Sequence, residues 1–517
     1  MIRADRLYPF VLAAVPVLYI LAENPGVSSA GDHAAVLLAT LAATALVYLL
    51  ARLALRGRDG ERLAPLVTLL VMGFLLGYRT LAEQVESLGL GRPHLVLVPI
   101  VGLLGVAVLL WFRRRPAALD RAGSFLTLTG ALLVAFQLTD IASDHRRAAA
   151  LLGRSAMLRD LARPIRAPAT PPGPRRDIYV IVLDQYANSE VLRERFGHDN
   201  RGFEDSLRAL GFHIPASVRS NYAQTLLSVP SLLNAAHLTG LTEEVGEHGS
   251  DPSVPNRLVT RSRVADFLKA RGYRYVFFPS QWWYATRSTP QADVEPQVWE
   301  GVRPGRELGR TALRRAVLNE LGLPRQAVQT YVWDADHVRR TLRGVTLAPR
   351  FGRPVFVVAH LISPHPPYAV DRECRSPPRR SSYPGQVECL NRRLLETVTE
   401  LIRTSPVPPI IILQGDHGTR SLRFSDWPSA EEVPADAVHE RFAAFGAYYL
   451  PDGGEAAFGD TVTVVNVLGN VLRHYFAAEL PRESDAQYLS LEDTPYDFLP
   501  VDADRPAPAR AAARASH

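Results

Sequence analysis

The sequence predicts an α/β domain with a mostly parallel central sheet, preceded by an all-α transmembrane region of about five helices. Two observations carry this. Apolar residues, 47% of the 517, crowd into the front of the chain in runs close to the ~20 residues that cross a bilayer. Beyond Asp177, short β-branched runs alternate with helical patterns over about 330 residues, the signature of strands and helices laid down in turn around one sheet.

The apolar runs are Tyr8–Leu21, Ala34–Leu55, Leu63–Leu81, Leu95–Trp111 and Ser124–Ile141. The first lacks a small-residue cleavage site and is followed at once by more such runs, so it reads as a span rather than a cleaved signal. No Lys or Arg falls between Arg6 and Arg52, whereas the next loop holds Arg56, Arg58 and Arg62 beside Arg52. A sparsely basic loop with Arg79 and Arg92 follows, and Arg113, Arg114, Arg115 and Arg121 then restore the bias. The positive-inside rule keeps the N-terminus and the two basic loops in the cytoplasm. An odd number of spans then exports everything that follows. The expected organisation is a transmembrane region over residues 1–142, a juxtamembrane helix and Pro-rich linker over 143–176, an α/β domain over 177–500 and a disordered tail over 501–517.

The net charge of +6 belongs in good part to those loops, so it does not argue for a nucleic-acid partner. A single Lys among 58 basic residues points to compositional bias rather than to a binding surface. The two cysteines, Cys374 and Cys389, both fall in the exported part. An oxidising compartment favours a disulfide between them, worth on the order of 3 kcal/mol by loop entropy.

After the linker Pro164–Pro174, which is too rich in proline for regular structure, strands are expected at Ile178–Leu183, Tyr273–Pro279, Val355–His360, Ile410–Leu413 and Ala443–Leu450. Helices are expected at Gly202–Leu210, Ser262–Arg271, Val387–Arg403 and Thr461–Ala477. Two strands end on groups that can hold a metal: Asp177-Ile-Tyr-Val-Ile-Val-Leu-Asp184 and Pro409-Ile-Ile-Ile-Leu-Gln-Gly-Asp-His-Gly418. Asp and Gly at a strand end also serve turns, but open α/β sheets place their sites at the carboxyl ends of strands. Between them Ser220-Asn-Tyr-Ala-Gln-Thr-Leu-Leu-Ser-Val-Pro-Ser-Leu-Leu-Asn234 runs from a loop into a helix that starts near Thr225. A hydroxyl there is either a cap or a nucleophile favoured by the positive end of the helix dipole. A metal at Asp184, Asp416 and His417 would activate it. In His360-Leu-Ile-Ser-Pro-His-Pro-Pro-Tyr368, prolines on both sides limit the orientations of His365, as a proton-transfer or anion-binding group requires.

The order strand-Asp, hydroxyl at a helix start, Ser-Pro-His-Pro-Pro-Tyr, then Gly-Asp-His-Gly resembles the alkaline phosphatase superfamily, specifically its sulfatase-like branch. With the membrane spans in front, the chain looks like the membrane-anchored members that transfer phosphoethanolamine or glycerophosphate head groups. The resemblance covers roughly Asp177 to Leu450. It implies Asp184, Thr225, Asp416 and His417 as metal ligands, Thr225 as nucleophile and His365 near the transferred group. His439, in Val438-His-Glu-Arg-Phe442, is the counterpart of a late phosphate-binding histidine. The implied cofactor is one divalent ion, Zn first, with Mn, Mg or Ca as alternatives.

Two departures shape the expectation. Sulfatases proper oxidise a Cys or Ser within Cys/Ser-x-Pro-Ser-Arg to formylglycine, whereas this chain offers Ser228-Val-Pro-Ser-Leu232. Thr225-Leu-Leu-Ser-Val-Pro230 instead matches the spacing of the phosphoethanolamine transferases, with Ser228 the alternative nucleophile. Gln185 stands where many sulfatases place a second Asp, which favours one metal. The expected function is a membrane-anchored, extracytoplasmic, metal-dependent transferase or hydrolase of phosphate esters, acting on a lipid or glycan ester at the bilayer. The alternatives are a sulfate-ester or phosphodiester hydrolase and, in a different class, a catalytically silent membrane-bound binding module. Trp282 and Trp283 are either cleft-lining or packing residues.

Overall fold

The computed structural model describes residues 6–23, 30–55, 57–87, 93–280, 286, 288–296, 335–366, 368–375, 382–421 and 427–501. Trp282, Trp283 and the tail from residue 502 lie outside the described residues. The chain divides into two compact units between Arg147 and Ala148.

The first unit is helical: α1 Tyr8–Glu23, α2 Ala30–Ala54, α3 Gly57–Ser87, α4 Pro93–Arg113 and α5 Pro116–Arg154, whose last turns belong to the second unit. Among the described residues, four helices are long and apolar enough to cross a membrane, over Ala34–Ala54, Gly60–Tyr78, Pro93–Arg113 and Pro116–Arg154. The first expected span is also a helix, but its apolar stretch, Tyr8–Tyr19, is shorter. These helices expose what a water-soluble bundle would bury: Leu103 and Leu53 are each 72% exposed and Phe125 67%. Among the described residues, every exposed large hydrophobic side chain except Phe351 lies before residue 139. An apolar exterior of this extent fits lipid. The hydroxyls of Thr40, Thr44 and Thr68 bond to carbonyls four residues back, which leaves no orphaned polar group on these turns.

The second unit is a three-layer α/β domain. Its sheet contains β1 Ile178–Leu183, β2 Phe212–His213, β4 Arg274–Phe278, β5 Val355–Leu361, β6 Ile410–Gly415 and β7 Gly446–Tyr449, in the order β2-β7-β6-β1-β5-β4. A small pair, β3 Ser217–Arg219 and β8 Thr461–Thr463, stands outside it. β6, β1, β5 and β4 are mutually parallel, and β7 is antiparallel to both of its neighbours. One strand therefore runs against the other five. The expected strands are all present, and the stretch expected as a helix from Thr461 opens with β8 before the helix begins at Val464.

The helices, in chain order, are α6 Ala156–Leu161, α7 Ser189–Phe196, α8 Arg201–Ala209, α9 Thr225–Asn234, α10 Leu241–Val245, α11 Ser253–Thr260 and α12 Arg263–Lys269. They continue with α13 Ala335–Leu347, α14 Tyr383–Thr404, α15 Ala435–Phe442 and α16 Val464–Phe476. The central strands are apolar on both faces, as strands covered twice must be. Ile178, Val180, Val182, Phe356, Val358, Ile410 and Ile412 pack with α9, α12 and α16. Tyr179, Ile181, Leu183, Val357, Ala359, Ile411 and Leu413 pack with α8, α13 and α14. Cys374 and Cys389 are bridged, their Cα atoms 5.2 Å apart, and tie the segment before α14 to that helix.

Candidate metal centre

The register of the sheet assembles the site. Leu183 of β1 pairs with Gly415 of β6 on one side and with Leu361 of β5 on the other, so all three strands end at one level. Asp184 and Asp416, the next residues along β1 and β6, are thereby brought together from more than two hundred residues apart. The backbone locks them there, since Asp184 N–H donates to Leu361 O at 3.0 Å and Asp416 N–H to Leu183 O at 3.3 Å. Alternation along a strand has period two, so Asp184 shares the face of Val182, and Asp416 the face of Ile412. That is the face covered by α9, the helix that begins at Thr225.

One ligand atom from each of Asp184, Asp416 and His417 lies within 4.8 Å of the others, and all three residues are buried. Thr225 Oγ1 donates to Asp416 Oδ2 at 2.7 Å and lies 3.1 Å from His417 Nε2. Thr225 is 7% exposed and is the first helical residue, with Gln224 at the cap position. The hydroxyl thus points at the cluster rather than capping its own helix. Asp416 Oδ1 accepts from the N–H groups of Gln185 at 3.0 Å and His417 at 2.8 Å. Gln185 reaches it by adopting φ 60°, a conformation that non-glycine residues avoid unless the surroundings impose it.

The donor set fits a divalent cation. Both carboxylate oxygens of Asp184 are buried without a hydrogen-bond partner. His417 Nδ1–H donates to Gly418 O at 2.8 Å, which leaves a lone pair on Nε2. That lone pair faces Thr225 Oγ1, whose proton is directed at Asp416. Acceptors crowded together in a buried space require a positive charge among them. The electrostatics agree. Burial, then the neighbouring Asp416 charge, pushes Asp184 well above the usual carboxylate range. Burial also raises Asp416, against the bonds from Gln185 and Thr225. His417 is driven well down by burial and by Arg441, so it is neutral and competent as a ligand.

His365 is held against this cluster by its backbone, with its N–H donating to Asp184 O at 3.1 Å and Gln386 Nε2 donating to its carbonyl at 3.1 Å. Its ring, 5% exposed, donates from Nδ1 to Pro366 O. Burial, then Arg420, lowers it to about 3. His439 lies elsewhere, on the surface of its helix: its ring is half exposed and faces the Glu190 carboxylate at 3.8 Å. Ser228 is on α9 three residues beyond Thr225, 1% exposed, with no hydrogen-bond partner for Oγ.

Three further residues belong to the site that the sequence reading did not single out. Arg441 is buried, its Nε donates to Ala223 O at 2.6 Å just before α9, and its charge acts on Asp184, Asp416 and His417. Burial lowers it only to about 10, so it stays cationic at neutral pH. Arg420 adds a second positive charge and pairs with Glu492. His360, on β5, has its Nε2 3.8 Å from Asp184 Oδ2. Two of these lie close in the chain to residues of the expected site: Arg441 is two positions after His439, and His360 heads the segment containing His365.

Gly418 sets the shape of the loop after His417. A Cβ there would lie 1.9 Å from Glu440 O and 2.9 Å from Ala443 O, and both are backbone atoms. Gly418→Ala should therefore displace His417, lower stability by about 1–3 kcal/mol as overpacking does, and abolish metal retention. Unchanged melting temperature and metal content in this variant would contradict the close approach.

No family model and no curated protein matches the chain. Among solved structures it is similar to the C-terminal periplasmic domain of EcEptC from Escherichia coli, with 10% identity over 66% of this chain and 97% of that one and a TM-score of 0.40. It is also similar to the integral membrane lipooligosaccharide phosphoethanolamine transferase A (EptA) from Neisseria meningitidis, with 12% identity over 90% and 93% and a TM-score of 0.36. A third is the putative sulfatase yidJ from Bacteroides fragilis, with 13% identity over 60% and 75% and a TM-score of 0.36. At such identities and TM-scores the likeness says nothing of activity, for which the site itself has to speak.

Proposed function

We propose that the chain is a membrane-anchored, metal-dependent enzyme of phosphate esters, exported from the cytoplasm, that moves a head group from a lipid donor through a covalent intermediate on Thr225. The observation that carries this is the placement of one buried hydroxyl, Thr225 Oγ1, against both Asp416 and His417 at the first turn of α9. A structural threonine at that position would turn its hydroxyl toward its own helix. The residues fit a single divalent ion at Asp184, Thr225, Asp416 and His417, with Zn first and Mn, Mg or Ca as alternatives. Such an ion, when bound, acidifies the hydroxyl and offsets charge on phosphoryl oxygens.

The chain's own groups supply the rest. Thr225 Oγ1 bonds to phosphorus as the ester P–O bond breaks; its proton passes to Asp416 Oδ2, its acceptor at 2.7 Å, and from there to the departing ester oxygen, so that the rest of the lipid leaves as an alcohol. The N–H groups of Thr225 and Leu226, the two that open α9 before Leu227 and Ser228 N–H donate back to Gln224 O, would meet the incoming phosphate oxygens. Arg441 and Arg420 hold the positive potential that draws an anion inward. In the second half, an acceptor hydroxyl or water bonds to phosphorus as the Thr225 Oγ1–P bond breaks; His365 takes the acceptor's proton, its affinity raised by the phosphate beside it, and the proton returns to Thr225 Oγ1. Threonine also argues for phosphate over sulfate: its β-carbon bears a methyl group and cannot become the aldehyde of formylglycine.

Intact-mass spectrometry of the purified protein, incubated with candidate phospholipid donors, tests the reading. A retained head-group phosphate mapping to Thr225 supports it, and a site elsewhere or no adduct with any donor counts against it. The exported orientation has its own test: a reporter fused at Asp177 should behave as extracytoplasmic, and cytoplasmic activity of that fusion would reverse the topology.

A further inference from the structure

The turn that carries Asp184 out of β1 stands in a conformation its own residues do not favour. Tyr186 N–H donates to Leu183 O at 3.4 Å, closing a four-residue turn from Leu183 to Tyr186. Its third residue, Gln185, has φ 60°. Turns of this kind usually place glycine or asparagine there, because a longer side chain at positive φ crowds the backbone. Both carboxylates of the cluster depend on this turn: Asp184 is its second residue, and Gln185 N–H donates to Asp416 Oδ1 at 3.0 Å.

What holds the turn comes from another element. Tyr383 opens α14, its ring 3% exposed and packed against Phe196 of α7 with ring centres 4.6 Å apart. Its hydroxyl donates to Gln185 O at 2.6 Å and accepts from Ala187 N–H at 3.1 Å. One phenol thereby spans Tyr186, satisfying the carbonyl before it and the N–H after it. Tyr186 is tied to the same helix, its own hydroxyl donating to Asn391 Oδ1. The Cys374–Cys389 bridge anchors α14 in turn.

We infer that Tyr383 is the positioning residue of the cluster's two carboxylates: its hydroxyl holds Gln185 at positive φ, so that Asp184 and the N–H on Asp416 are in place before a cation arrives. This rests on the metal reading given above. Without the hydroxyl the turn relaxes for part of the time, and the apparent affinity for the ion falls with the fraction of molecules that keep it.

The test is zinc affinity of the full-length protein in detergent, by competition with a chromophoric chelator. Far-UV circular dichroism checks folding, and hydrogen exchange is read on the peptide covering residues 183–188. Wild type should bind one equivalent. Tyr383→Phe keeps the ring and its packing and should bind about three- to tenfold more weakly, the worth of one buried hydrogen bond. Adding Gln185→Gly to it should recover most of that loss, because glycine takes positive φ unaided. Tyr383→Phe binding zinc as wild type does, or the double variant binding as weakly as Tyr383→Phe, would overturn the inference. Should Tyr383→Phe not fold, zinc-free wild type decides: the amides of Gln185, Tyr186 and Ala187 should already exchange slowly, and rapid exchange there until zinc is added would end the claim. A wild-type protein that binds no zinc would instead overturn the metal reading, and the inference with it.

Discussion

Thr225→Ala is expected to abolish turnover and the covalent adduct while leaving the domain folded. Loss of a nucleophile that acts as a unit with its activating groups costs enzymes roughly 10⁴-fold or more. Stability should change little, because Thr225 is not the cap of α9 and the helix keeps its ten residues and their packing. Thr225→Ser, which keeps the hydroxyl, should keep measurable turnover. Ser228→Ala is the control: its Oγ is buried with no partner, so its loss removes an unsatisfied polar atom and should be neutral or slightly stabilising. Should Thr225→Ala turn over normally while Ser228→Ala does not, the nucleophile is Ser228. Activity in both would remove the covalent route.

Chelation should make the α/β domain lose stability as pH rises. Asp184 and Asp416 are both raised above the ordinary carboxylate range by burial, and Asp184 further by its neighbour. A carboxyl whose folded pKa lies above its unfolded value of ~3.9 binds more protons in the native state. Its contribution is therefore fully present below the unfolded pKa and is lost as pH climbs through the folded one, each tenfold difference in proton affinity being worth about 1.4 kcal/mol. The metal-free protein should melt highest in mild acid and progressively lower through neutrality. Metal-loaded protein should show no such decline, since the ion compensates the two negative charges. Thermal melts at pH 5 and pH 8, with and without chelator, distinguish these outcomes. A chelated protein as stable at pH 8 as at pH 5 would mean that the two carboxylates are not forced together as described.

The strands that carry Asp184 and Asp416 were legible because each is a short β-branched run bounded by polar residues, a pattern that needs no partner to recognise. The membrane helices were legible for the same reason, since length and composition suffice. Thr225 at a helix start followed from the apolar spacing after it. Position in the chain did not reveal His360 as a neighbour of Asp184, because the two are joined only by the register of β1 against β5. Nor did it reveal Arg441, whose Nε holds the carbonyl of Ala223 from over two hundred residues away. The reversed direction of β7 was equally hidden, since a strand's residues do not record which way its neighbours run.

What the sequence by itself determined, then, is the local inventory: lipid-spanning helices, an alternating α/β domain, and metal-competent side chains at two strand ends. These depend on periodicities of 2 and 3.6 residues and on apolar length, properties of contiguous residues. The tertiary structure decided which of those side chains meet. Sheet order sets β6, β1 and β5 side by side, and their register ends them at one level. Packing of α9 on the same face then brings the Thr225 hydroxyl to Asp416 and His417, through burial shared among residues far apart in the chain.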